Sequence, residues 1–532
     1  MLVKTYGCAI LGVEAIKVIV EVNLSKGNHQ FISGLPDTAV KESLARLESA
    51  IRNSCYRMPD SKITFNLAPA DVKKSGSSFD LAMAAALLGA TEQIHHPKKL
   101  SSFMISGELG LSGSIEPIKG ALSVAILAWK LGFEGVIVPL ANAEEAAMVT
   151  KIPVYGVTNL REVAEFFNGQ RELEPVKINT REQFYSSQYD FDIDFADVKG
   201  QARVKRALEI AAAGGHNAIL IGPPGSGKSM MAKRLPTILP PLTLQEALET
   251  TRIYSVSGKM GEIALRLVNK RPFRSPHSTS SHAALVGGGS IPVPGEISLA
   301  HNGVLFLDEM PEFNRNVLEV LRQPMEDGKI SISRAMRSID FPAKFMLLAS
   351  MNPCPCGFLN HQEVNCKCSI NAIQKYLGKI SGPLMDRIDL HIEVNPVSAP
   401  ELSEENEVES SSAIRERVIA ARENQTLRFE NNDSIHCNAQ MTNSYIKQCC
   451  RLKGDTKDLL LSAMKNLKLS GRAHDRILKV SRTIADLDES EDIKFSHLSE
   501  AIGFRALDRE GWIETVTSKK ETGKKKAVVK VA

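Results

Sequence analysis

A lysine, a serine and two carboxylates define the chemistry open to this 532-residue chain. Lys228 and Ser229 close the segment Gly222-Pro223-Pro224-Gly225-Ser226-Gly227-Lys228-Ser229, which has the spacing G-x-x-x-x-G-K-S. A polyphosphate needs backbone N–H groups aimed at its oxygens, and glycine lets a backbone approach that closely. Lys228 would reach the β- and γ-phosphates, and the Ser229 hydroxyl would ligate Mg²⁺. Asp308 and Glu309 end the run Gly303-Val-Leu-Phe-Leu-Asp-Glu309. In a nucleotide-hydrolysing sheet, the first carboxylate holds Mg²⁺ through water and the second polarises the attacking water. A chance glycine-rich turn and a solvated strand end are the competing readings. Both glycines, the Lys-Ser pair and the flanking apolar runs agree, and this decides for a nucleoside triphosphate site.

Two further residues fall where such a site needs them. Asn352 ends the apolar run that starts at Phe345, where it could orient the water or contact the γ-phosphate. Arg387, in Ser381-Gly-Pro-Leu-Met-Asp-Arg387, precedes another strand-like run. It could stabilise transition-state charge on a neighbouring subunit's nucleotide, or it could be a structural ion pair.

The elements that must position these groups alternate as an α/β unit. Ala218–Ile221 reads as a buried parallel strand, and Met230–Leu235 opens a helix whose N-terminal partial charge favours phosphate. Phe195-Ala-Asp-Val-Lys-Gly-Gln201 leads into an amphipathic helix, Ala202–Ala213, that stops at Gly214-Gly215. This core is expected over 195–396. Before it, 1–168 forms a separate unit. Strands are expected at Val13–Leu24, Phe103–Gly110 and Gly135–Pro139, and helices at Pro36–Ser54, Ser78–Leu88 and Ala121–Leu131. A polar, acidic linker with aromatics able to dock covers 169–194. After the core come an acidic join, 397–412, and an all-α unit, 413–510. Its helices are expected at Ala413–Asn424, Ser444–Leu469, Arg472–Asp488 and Ser496–Phe504. A basic tail, 511–532, reads as solvated or as a source of non-specific phosphate affinity.

Composition narrows the class. Net charge is +4 from 65 basic and 61 acidic residues, so bulk charge selects no partner. Apolar runs such as Ala84–Ala90 are far too short to span a membrane, and the start lacks a signal-peptide pattern. The expectation is a cytoplasmic protein. Nine cysteines in a chain this long do not suit a secreted disulfide framework. Four of them fall in two close pairs, Cys354-Pro-Cys356 and Cys366-Lys-Cys368. They could hold a structural tetrahedral Zn²⁺ or be four reduced, metal-free thiols. Glu326–Phe341 alternates like a hairpin and carries Lys329, Arg334 and Arg337. These could contact nucleic-acid phosphates, or the hairpin could be an ordinary solvated one. Arg271–Gly289 reads as a basic, hydroxyl- and glycine-rich loop whose backbone could approach a strand.

Taken together, Phe195–Gln201, Gly222–Ser229, Val304–Glu309, Asn352-Pro-Cys-Pro-Cys-Gly357 and Ser381–Arg387 resemble the magnesium-chelatase-like AAA+ ATPases, and within them the bacterial ComM/YifB branch. The resemblance covers nearly the whole chain. It implies a homo-hexameric ring with ATP and Mg²⁺ at subunit interfaces, Asn352 as sensor 1 and Arg387 as arginine finger. Arg472 of the C-terminal lid matches the sensor 2 arginine, with Arg476 as the rival choice. The hairpin would face a central pore. The function implied is DNA translocation and branch migration in natural transformation, on branched, single- or double-stranded DNA. A chelatase-type subunit that remodels a partner protein is the alternative.

The first unit adds a second likeness. Ser75–Leu87 and Gly107–Leu122 resemble the Lon-type peptidase domain, an α+β unit of the ribosomal S5 domain 2-like kind. Aligning Pro117-Ile118 with that motif places Leu122 where the catalytic lysine belongs, and Lys119 is offset by three residues. Ser78 would then lack a proton acceptor. The expectation is a protease-like fold without protease chemistry. The overall fold class expected is therefore multidomain α/β: this unit, an AAA+ phosphate-loop core and an all-α lid.

Overall fold

The computed structural model describes residues 2–505, apart from 179–183, 186, 263–266, 290–291, 335–336, 360, 362–363, 398–407, 433–434 and 468. The basic tail and most of the acidic join lie outside the described residues, as do the side chains of Arg334 and Arg337. Among the described residues, no helix is long and apolar enough to cross a membrane.

The first 157 residues build a seven-stranded mixed sheet. Its order is Gln30–Ser33, Lys62–Ala68, Glu14–Ser25, Leu2–Leu11, Phe103–Ile105, Gly135–Pro139, Val154–Val157. The strand Leu2–Leu11, absent from the sequence expectation, pairs antiparallel along its length with Glu14–Ser25. The Ala-rich helix Asp80–Ala90 is buried at every residue, which is why it shows no polar face. Asp80 at its start stays satisfied through Arg46 Nε at 2.7 Å and the Ser43 hydroxyl.

The core is a five-stranded sheet in the order Phe273–Arg274, Val304–Leu307, Met346–Met351, Ala218–Ile221, Leu390–Glu393. Every neighbouring pair is parallel. The three inner strands are wholly buried, as near-continuous apolar runs between covering layers must be. Parallel pairing has one consequence that organises the molecule. All C-terminal strand ends, and so Gly222, Asp308 and Asn352, leave at one edge. Asn217, Gly303 and Asp389 enter at the other. Asn217 ties that second edge together, accepting from Leu347 N at 2.8 Å and donating its own N–H to Asp389 at 3.0 Å.

The C-terminal helices are Ser411–Arg428, Asn443–Cys449, Asp455–Asn466, Gly471–Leu487 and Phe495–Gly503. The single helix expected over 444–469 is two, because Gly454 takes a positive φ of 50° between them. These helices share one apolar core with the sheet, where Ile477 and Ile484 join Leu208 and Leu220. The first unit is joined as well. Val13, Leu122 and Met148 pack with Ile253 and Leu305, and Arg252 bonds Glu14 at 2.8 Å and the Val13 carbonyl at 3.0 Å. Within the linker, Phe184 is buried and Gln188 donates to the Leu242 carbonyl at 2.9 Å.

His391 lies buried in the strand Leu390–Glu393, and burial, aided by Arg505, pushes its imidazole down to about 3. The unfolded chain then binds the extra proton below its ordinary range. The stability this neutral ring contributes is complete above about pH 6.5 and is lost as pH falls. Between about pH 7.5 and 5 the wild type should lose about 2 kcal/mol more than His391→Gln. Thermal melts of both proteins at the two pH values check this; parallel slopes would refute it.

Candidate active site

The phosphate loop spans Gly222–Gly227, between the strand Ala218–Ile221 and the helix Lys228–Ile238. Gly222 is demanded by space, since a Cβ there would sit 2.2 Å from the Val394 carbonyl oxygen. Gly227 is demanded by conformation, with φ of 85° at the helix start. The loop's backbone is thereby free to curl around an anion at a helix N-terminus.

Lys228 is only 9% exposed and folds back over the loop. Its Nζ donates to the carbonyls of Gly222 at 2.7 Å and Pro223 at 2.8 Å, and to Asn352 Oδ1 at 3.2 Å. Burial lowers the ammonium below its ordinary range, with Asp308 and Glu309 opposing that. Ser229 Oγ donates to Asp308 Oδ2 at 2.7 Å, so the two groups expected to hold Mg²⁺ already meet. These donors are hard oxygens at the loop's exit, the chemistry that suits this ion. Glu309 follows with φ of 51°, an uncommon conformation for a non-glycine residue. Beside it opens a cavity of about 430 Å³ lined by Glu309, Glu312, Asn352, Pro355, Tyr376 and Lys379.

Sequence reasoning missed Ser350. This buried hydroxyl donates to Asp308 Oδ1 and accepts from Glu309 N at 3.2 Å, fixing both carboxylate-bearing residues. The available signal was a serine inside the otherwise apolar strand Met346–Met351. Tyr376, its hydroxyl pushed up to about 12 by burial, is a second such neighbour of Asn352.

The structure gathers Lys228, Ser229, Asp308, Glu309 and Asn352, but not the arginines. Arg387 O accepts from Asn217 at the opposite edge of the sheet. Its guanidinium, in a residue only 5% exposed, is bonded to Glu326 and to the Pro383 carbonyl at 2.6 Å. Arg476 is bound there too, at 2.8 Å from Asp389. The lid helix then runs from Arg476 past His216, which its Thr483 contacts, toward Asp488 beside Arg206. Arg472, one turn before Arg476, is exposed.

The remaining candidates divide. Lys329 pairs with Asp340 at 2.7 Å on the exposed face of a hairpin, Lys329–Arg334 with Arg337–Pro342. Arg334 faces Arg337 across the last register position. The basic insert is less loop-like than expected. Phe273–Arg274 is the edge strand of the sheet, and both its arginines bond inward: Arg271 to Glu246 at 3.1 Å, Arg274 to Glu296 at 2.6 Å. In the first unit, Leu122 is buried and the Lys119 side chain lies against Gly258 of the core.

The four cysteines do converge. Their Sγ atoms lie within 4.8 Å of one another, with Cys354, Cys356 and Cys366 separated by 3.4, 3.7 and 3.6 Å. Cys368 completes the set. A tetrahedron with Zn–S of about 2.3 Å has edges of about 3.8 Å, whereas a disulfide would need about 2.05 Å. The residues present therefore fit one thiolate-bound ion. Burial pushes the Cys354 thiol up to about 12. Against burial, the Phe358 N–H and the Cys354 thiol hold Cys356 down at about 6.

Residues 194–402 match the family described as magnesium chelatase, subunit ChlI, while 20–142 and 408–505 match two further ChlI families, the second its C-terminal part. The chain is 44% identical to the uncharacterized protein YifB of Escherichia coli, over 94% of this chain and 96% of that one. It is 43% identical to the competence protein ComM of Haemophilus influenzae, over 95% and 97%. Similarity to the magnesium-chelatase subunit ChlI of Pyropia yezoensis is 22%, over 55% and 76%. The mixed α/β build with its parallel sheet agrees with such a family. The chain belongs to the ComM/YifB family of magnesium-chelatase-like proteins.

Proposed function

We propose that this protein is an ATP-hydrolysing ring motor that moves along DNA. The observation that carries the reading is a divided site. Lys228, Ser229, Asp308, Glu309 and Asn352 meet at one edge of the sheet, while Arg387 and Arg476 are bonded at the other. A loop without its arginines is completed when a second copy presents the opposite edge, and repeated head-to-tail contact of that kind closes a ring, here a hexamer. Each residue has a task. The loop amides and Lys228 bind and orient the phosphates, and Asn352 keeps Lys228 in place. Glu309 accepts a proton from the attacking water, and Arg387 of the next protomer stabilises charge on the leaving phosphoryl group. Ser229 and Asp308 would hold Mg²⁺, which supplies charge neutralisation at the phosphates.

DNA as the track is supported by full-length similarity to a competence protein, and recombination junctions in natural transformation are the proposed substrate. The hairpin carrying Lys329, Arg334 and Arg337 is the proposed strand contact. The unit over 1–168 is proposed as a Lon-peptidase-like fold without protease chemistry, the four thiols as one structural Zn²⁺ site, and the cytoplasm as the location. Similarity to ChlI favours one rival, remodelling of a partner protein for metal insertion.

ATPase rate and strand displacement measured with forked, three-way, duplex and single-stranded DNA separate the two. The motor reading expects hydrolysis to rise several-fold with at least one DNA and that DNA to be unwound. Absence of both effects would overturn it.

A further inference from the structure

The four-cysteine centre is not remote from the nucleotide loop. Cys354 follows Asn352 by two residues, and Asn352 holds the Lys228 ammonium. On its other side the same loop turns at Gly357, with φ of 83°, directly against Pro224 of the phosphate loop. A Cβ at Gly357 would come within 2.5 Å of Pro224 Cδ. Gly357 N donates to the Cys354 carbonyl at 2.9 Å, so the contact is made by the cysteine loop itself. Leu359 and Ile373 pack with the thiols in one small apolar cluster.

The geometry points to a clamp: a single Zn²⁺ on Cys354, Cys356, Cys366 and Cys368 sets the position of both Asn352 and Pro224, and so the readiness of the phosphate loop. This rests on reading Gly222–Ser229 as the nucleotide site. Four thiolates drawn to one ion fix Cys354–Cys356 against Cys366–Cys368. Without the ion nothing bridges the reprotonated thiols, and the loop has too small an apolar core of its own to stay closed. The support under Pro224 and the anchor for Lys228 then relax together, although no cysteine touches nucleotide.

The test uses the full chain. Atomic emission should find about one zinc per chain. Affinity for a fluorescent ATP analogue is then measured on the zinc-loaded protein, after zinc is stripped with a thiol-reactive mercurial and chelator, and after thiol and Zn²⁺ are returned. Stripping should weaken binding by about tenfold and restoration should recover it. Gly357→Val keeps all four cysteines; it should retain zinc and the wild-type circular dichroism yet bind the analogue several-fold more weakly. Protein without zinc overturns the inference, as does unchanged affinity in both the stripped protein and Gly357→Val. Zinc-loaded wild type that binds no nucleotide would overturn the reading of the loop, and the clamp with it.

Discussion

Arg387→Ala is expected to lower ATP hydrolysis by about 10³-fold or more while leaving nucleotide binding intact. Each protomer would still present a complete phosphate loop, but no neighbour would supply charge to the transferring phosphoryl group. The competing role, a structural ion pair, predicts something else. Arg387 is bonded to Glu326, whose side chain is 51% exposed. Once the arginine is gone, that carboxylate can return to water, so losing the ion pair itself costs little stability. A melting temperature close to wild type together with collapsed turnover therefore separates the two roles. Mixing separates them further. Lys228→Ala protein lacks a usable loop but carries an intact Arg387, and Arg387→Ala protein is its complement. In a random equal mixture about a quarter of head-to-tail interfaces regain both parts. Activity rising from near zero on mixing is the expected result. Two inactive proteins that stay inactive together would refute action across the interface.

Glu309→Gln should bind ATP with wild-type affinity and lose about 10²- to 10⁴-fold in turnover, the share expected of a general base. Gln keeps the size and the left-handed backbone of residue 309 but cannot take a proton. Asp308 remains bonded to Ser229 and Ser350, so the groups expected at the metal are undisturbed. Equilibrium binding of an ATP analogue beside single-turnover hydrolysis makes the measurement. Normal hydrolysis by Glu309→Gln would assign the base elsewhere.

What the sequence disclosed, and what it withheld, follows from range. The loop Gly222–Ser229, the pair Asp308-Glu309 and Asn352 are short-range signals: a strand, a turn residue and a polar group at the strand's end. Parallel pairing then brings them to one edge without any further instruction. The four cysteines are legible for the same reason, because 15 consecutive positions contain all of them. The arginines differ. Arg387 and Arg472 match motifs, with Arg476 as the rival for the second, but their distance from the loop depends on which end of the sheet the lid helix crosses, and no local pattern encodes that. Partners far apart in sequence, such as Glu326 for Arg387 and Glu246 for Arg271, were equally hidden. The insert at 271–289 was misjudged because a two-residue edge strand, Phe273–Arg274, is too short for any periodicity. Leu2–Leu11 was missed although Val3 and Thr5 alternate with Leu2 and Lys4 in burial, since beyond Gly7 that alternation dissolves.

The seam at Val13, Leu122 and Met148 bears on how such a protein can be taken apart. These side chains complete an apolar layer that also contains Ile253 and Leu305 of the nucleotide-binding core. Cutting the chain in the linker would expose that layer to water on both fragments and strip Arg252 of Glu14. The two halves are thus one cooperative body, and a truncated motor half would be compromised by the cut before any question about its partners could be asked.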